Sequence, residues 1–143
     1  MTTPVEAPPR VSRRRALRTP ALVGAGGIAA AVLLHLRDPN TSGSYGFCPF
    51  QAVTGWACPG CGGLRAVHAL TDLDVGAALS SNVLAVLLVA TLAVAYALWI
   101  PRRLSDARAP MIAITSRVGV VLIVVGFVFT VVRNTPWGSW LAP

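Results

Sequence analysis

The chain has 143 residues, enough for one domain, and is 55% hydrophobic but only 12% charged, where a soluble domain carries about a quarter charged residues. Its net charge of +7 comes from 12 basic and 5 acidic residues, and every basic residue is an arginine. The arginines stand at the ends of apolar runs, which excludes an ordinary water-exposed domain and favours membrane orientation over nucleic-acid binding.

Residues 1–19, MTTPVEAPPRVSRRRALRT, read as a mobile basic tail in which Pro4, Pro8 and Pro9 interrupt any early helix. The run from Pro20 to Leu36 is the first expected span, about 25 Å long at 1.5 Å per residue. Gly24, Gly26 and Gly27 lower its helicity but permit a close helix crossing, and His35 falls at the interface. A basic flank before an apolar stretch also describes a signal peptide. Here Ala29, Ala30 and Ala31 lie inside the run and Val32, Leu33 and Leu34 continue it, so the expectation is an uncleaved anchor.

The second span is expected from about Leu79 to Ile100, with Trp99 at the interface and Pro101, Arg102 and Arg103 as a sharp stop. Asn82, near its other end, has three roles open to it: capping, bonding across helices, or facing water. Residues 118–132, VGVVLIVVGFVFTVV, form the core of a third span that starts near Met111, lets Arg117 snorkel, and ends before interfacial Trp137 and Trp140. A lone strand cannot satisfy its backbone in lipid, so helix is expected. The fold class is therefore an all-α integral membrane protein: three transmembrane helices at about 20–36, 79–100 and 111–132, in one membrane domain, 20–143. A cysteine-bearing re-entrant or interfacial hairpin, 45–78, separates the first two.

The charges orient it. Arg10, Arg13, Arg14, Arg15 and Arg18 precede the first span against Glu6 alone, and Arg102, Arg103 and Arg108 follow the second against Asp106. Between the first and second spans Arg37 and Arg65 face Asp38, Asp72 and Asp74. The positive-inside rule puts the amino terminus and the 101–110 loop in the cytoplasm, and the cysteine loop and carboxyl terminus outside.

The loop CPFQAVTGWACPGCGGLRAVHALTDLD, Cys48 to Asp74, carries the chemistry. Its first half is punctuated by Pro49, Gly55, Pro59, Gly60, Gly62 and Gly63. Leu64, Val67, His68 and Leu70 then suit a short amphipathic helix, and Asp74 suits the N-cap of the next one. Cys58 and Cys61 are close enough for a disulfide or one metal ion, and the helix amino terminus and Arg65 beside them would favour a thiolate. Cys48 adds a third sulfur: a resolving cysteine, a bridge to either neighbour, or a metal ligand. Cys48, Cys58, Cys61 and His68 together would suit tetrahedral zinc. Asp72, four residues past His68, can orient its imidazole.

Cys48-Pro49, Thr54-Gly55, Cys58-Pro59-Gly60-Cys61-Gly62-Gly63, Arg65-Ala66 and Asn82 resemble the pattern of a family of small bacterial membrane proteins, DUF2752, over roughly residues 45–100. Members usually carry threonine where this chain has Leu64, glycine where it has Leu73, and proline where it has Val83. The resemblance implies a multi-pass protein of the bacterial cell membrane and supplies no reaction. No catalytic residue is assigned, and no cofactor is required. The leading expectation is a non-enzymatic structural or partner-docking component, with Arg65, Asp72, Asp74 and Asn82 in structural roles. The alternatives are a thiol–disulfide oxidoreductase using Cys58 and Cys61, with Cys48 in reserve, and a metal-binding module. The expected surroundings are the bilayer and a helix partner or second copy; no nucleic acid is expected.

Overall fold

The computed structural model describes residues 13–41, 45, 48–104 and 116–141. Pro4, Pro8, Pro9 and Arg10 of the tail, Asp106 and Arg108 of the 101–110 loop, and the expected start at Met111 lie outside the described residues. Among those described there are only helices: α1 Arg13–Leu36, α2 Pro49–Thr54, α3 Gly63–Thr71, α4 Val75–Leu104, α5 Ser116–Arg133, and a closing 3₁₀ helix, Pro136–Leu141. Three of them, over Leu17–Leu36, Val75–Leu104 and Ser116–Arg133, are long and apolar enough to cross a membrane.

The first helix begins seven residues before the expected run and carries Pro20 inside it. Proline leaves the ladder one bond short, and its own carbonyl accepts a bond from the Tyr96 hydroxyl of α4 at 2.9 Å. Gly24 makes room for that tyrosine, because a Cβ there would meet the Tyr96 hydroxyl. One of the three glycines expected to serve a close crossing does so.

The second span departs from expectation at both ends. Pro101 does not stop it; α4 continues through Arg102 and Arg103 to Leu104. Proline removes a single ladder bond, and Arg103 lies over the Trp99 ring one turn back, 5.8 Å from its centroid, which favours continuation. At the other end α4 starts at Val75, capped by Asp74, whose Oδ1 accepts from the Ala77 N–H at 2.9 Å. That helix is broken at Asn82, which is extended (φ −167°, ψ 101°). Residues 75–81 form a leg against α3, and 83–104, about 33 Å at 1.5 Å per residue, form the span proper.

The helix expected after Gly63 is α3. It packs on the α4 leg through alanines: Ala66, Ala69 and Ala78 are buried, and Gly63 lies against Ala85. Small side chains let the backbones approach closely, as membrane helix pairs require. The turn between α3 and α4 holds Leu73 at φ 62°, the left-handed region in which a Cβ costs about 1–2 kcal/mol. This is the position where the family resemblance leads one to expect glycine. Leu73 is 87% exposed, so Leu73→Gly gives up no packing. It should raise stability by about 0.5–1 kcal/mol, the relief of the left-handed strain less the entropy glycine loses, as read from thermal unfolding in detergent micelles.

Candidate functional site

Three elements bring the cysteines together. Cys48 precedes α2, with Pro49 in that helix's first turn. This short helix stands where turns alone were expected, and it ends at Gly55 (φ 72°). Cys58 and Cys61 lie on the tight turn before α3, which ends at Gly62 with φ 78°, a left-handed conformation suited to glycine. The Cys58 sulfur lies 3.5 Å from that of Cys48 and 3.0 Å from that of Cys61. All three Sγ atoms fall within 4.8 Å of one another, and all three are free thiols.

The turn is fixed by its carbonyls rather than by apolar packing. Asn82 is 1% exposed; its Nδ2 donates to the carbonyls of Pro59 and Cys61, both at 2.9 Å. Its Oδ1 accepts from the Ala85 N–H at 3.0 Å and so caps the span that follows. Asn82 thus takes the capping role, and its other bonds go to the cysteine turn rather than to a second helix or to water. From the end of α5, Arg133 Nη1 donates to the carbonyls of Cys58 at 2.9 Å and Cys61 at 3.1 Å, and Nη2 to that of Leu141 at 2.9 Å. Asn134 accepts from the Ala57 N–H and donates to the Ala57 carbonyl, each at 2.9 Å. The 3₁₀ helix can reach Arg133 because Gly138 is buried against the Val132 carbonyl, where a Cβ would collide.

Electrostatics separates the three thiols. The backbone N–H of Gln51 and the neighbouring Cys58 hold Cys48 below the usual thiol range. Burial, then the sulfurs of Cys58 and Cys48, pushes Cys61 up to about 12. Cys58 N–H donates to the Cys61 sulfur at 3.3 Å, and that sulfur faces Gln51 Oε1 at 3.9 Å. Beside them opens a cleft of about 700 Å³ whose lining includes Tyr45, Gln51, Leu64 and the expected Arg65.

His68, expected as the fourth ligand, points elsewhere. Two turns of uninterrupted helix would have set it on the face of Cys61, about 10.5 Å along the axis, but α3 begins only at Gly63, after the reversal at Gly62. Its Nδ1 lies 2.8 Å from the Leu34 carbonyl of α1, and its Nε2 faces Asp38 and Asp72. Asp72 was expected beside His68 and is there, at 3.5 Å, while Asp74 stays at its cap.

The geometry and the motif coincide over one stretch of chain. Residues 48–96 match the DUF2752 family. That family is described as a protein of unknown function, and the match spans the cysteine turn, α3 and most of α4. Comparison with curated proteins and with solved structures gave no match. The sequence reading missed Arg133 and Asn134, which lie outside the DUF2752 stretch. The available signal was an Arg-Asn pair directly after an apolar run, which reads equally well as a helix end in the headgroups.

Proposed function

We propose that this chain is a small non-enzymatic membrane component whose cysteine hairpin holds one thiophilic metal ion, zinc foremost, and presents a rigid surface to a partner. The observation that carries this reading is the three sulfurs within 4.8 Å on a turn whose carbonyls are pinned by Asn82 and Arg133. Zinc–sulfur bonds of about 2.3 Å fit within that spread. Charge balance supports it. Arg133 is 1% exposed, has no carboxylate partner among the described residues, and donates to the carbonyls of Cys58 and Cys61. Burial keeps Cys61 protonated, so the guanidinium faces neutral sulfur until a metal ion displaces the protons. An anionic metal–trithiolate is the counter-charge that a buried cation requires. Gln51 Oε1 or a water from the cleft would complete a tetrahedron. By the positive-inside rule the centre faces outward from a bacterial cell membrane, where a docking element meets its partner.

Reduced protein in detergent should take up one zinc per chain, measured by elemental analysis. Cys48→Ser, Cys58→Ser and Cys61→Ser should each bring the retained metal below a tenth of an equivalent. Reduced, metal-stripped protein that takes up no added zinc would sink the proposal.

One observation favours a second reading: Cys58 is close enough to either neighbour to pair with Cys48 or Cys61. Against thiol–disulfide exchange, a thiol as high as Cys61 is a poor attacking and a poor leaving group. Trapping a mixed disulfide on Cys48 or Cys58 in intact cells would reverse the ranking.

A further inference from the structure

Three sulfurs leave a tetrahedral ion one ligand short, and Cys48, Cys58 and Cys61 all line the cleft of about 700 Å³. The cleft's lining contains no histidine and no acid, so the described residues supply no ionic fourth ligand there. Gln51 Oε1, 3.9 Å from the Cys61 sulfur, and water are the neutral occupants of that position. An anion displaces either. Gly60, Gly62 and Gly63 stand in the wall, so backbone rather than side chain borders the approach to the sulfurs. A water molecule takes up about 30 Å³, far less than the cleft offers. Its volume lies instead in the range of about 300–1,000 Å³ typical of sites for organic ligands.

Charge selects the class of ligand. A divalent ion on three thiolates carries one negative charge, which Arg133 offsets. Arg65, exposed and on the cleft wall, is then a second positive charge with nothing to answer it. It has no carboxylate partner among the described residues, because the neighbouring acids are engaged elsewhere. Asp38 accepts from both nitrogens of Asn40, Asp72 pairs with His35, and Asp74 caps α4. The first turn of α3 adds partial positive charge to the same wall, since its N-cap Gly62 brings no side chain to the N–H groups there. A neutral fourth ligand leaves this charge unmatched, and a dianion such as phosphate exceeds it. A single carboxylate balances it: one oxygen can reach the metal ion while the other accepts from the guanidinium fork.

Building on the metal reading above, we propose that the cleft takes a carboxylate from an acidic side chain of the partner protein as the metal's fourth ligand, with Arg65 paired to it. The docking surface is thereby selective for an acidic segment.

The test uses the full chain, reduced, loaded with cobalt(II) in non-ionic detergent at low salt, and titrated with the capped tripeptide acetyl-Gly-Asp-Gly-amide. The sulfur-to-cobalt charge-transfer band reports loading, and the visible d–d bands report the fourth ligand. The aspartyl peptide should shift the d–d bands saturably, and its asparaginyl counterpart should leave them unchanged. Arg65→Gln should weaken the aspartyl peptide by about three- to tenfold while holding as much cobalt as the parent. Sodium acetate, which fills little of the cleft, should bind more weakly than the peptide. A cobalt-loaded protein whose d–d bands ignore the peptide overturns the proposal and leaves the metal reading standing. So does an equal response to the asparaginyl peptide, or an Arg65→Gln variant that binds as the parent does. Acetate binding as tightly as the peptide would mark a small-anion site and overturn docking. A chain that takes up no cobalt at its thiols fails at the metal reading itself, and this proposal falls with it.

Discussion

Replacing Arg133 with methionine should destabilise the protein by about 2–4 kcal/mol and abolish metal retention at the cysteines. The carbonyls of Cys58, Cys61 and Leu141 all accept from this one guanidinium, and a buried acceptor left without a donor costs about 1–3 kcal/mol. Two effects hold the total below the sum. The Cys61 carbonyl keeps its bond from Asn82, and removing a buried charge recovers part of its desolvation cost. Arg133→Lys separates charge from geometry: an ammonium restores the counter-charge but cannot span three carbonyls as a planar fork does. That variant should retain zinc while losing part of the stability. Unfolding in detergent micelles, paired with metal analysis, checks both. An unchanged midpoint in Arg133→Met would show that the clasp contributes nothing.

Asn82→Ala should cost about 2–3 kcal/mol, roughly 1 for the lost helix cap and the remainder for the carbonyls of Pro59 and Cys61. Asn82→Asp distinguishes the two roles. An aspartate can still accept from the Ala85 N–H, but where Asn82 Nδ2 donates it would set an oxygen against two carbonyls. The cap should survive and the cysteine turn should loosen. Iodoacetamide should then reach Cys61 at least several-fold faster than in the parent, followed by mass spectrometry of the metal-free protein. Equal rates would detach Asn82 from the cysteine turn.

Much of this organisation is local and therefore legible in the sequence. A fifteen-residue run from Val118 in which Thr130 is the one polar side chain, or an Asp at the start of an apolar run, carries its meaning within a turn or two of helix. The same is true of Cys58 and Cys61, which share one tight turn, and of α3, whose apolar spacing began where expected. Pro101 misled because the rule for a proline stop weighs one lost bond without the arginine that stacks a turn later on Trp99. His68 misled because spacing along a helix says nothing of the reversal at Gly62. Arg133 and Asn134 were illegible for a different reason. Their partners at Cys58 and Ala57 lie 75 and 77 residues away, and nothing local tells a cation that will be buried from one that will sit among headgroups.

The clasp also sets an order of events during synthesis. The turn at Cys58–Cys61 leaves the ribosome well before Arg133 and Leu141, which complete its bonding. At about 5–20 residues per second, the cysteines wait several seconds with only Asn82 to arrange them. In that interval they are exposed to whatever oxidant or metal the compartment offers. A chain cut after Val132 would keep nearly all of its hydropathy, and with it the signals for insertion, yet could never close over the thiols. Membrane insertion and maturation of the site are therefore separable, and residues 133–141 decide the second.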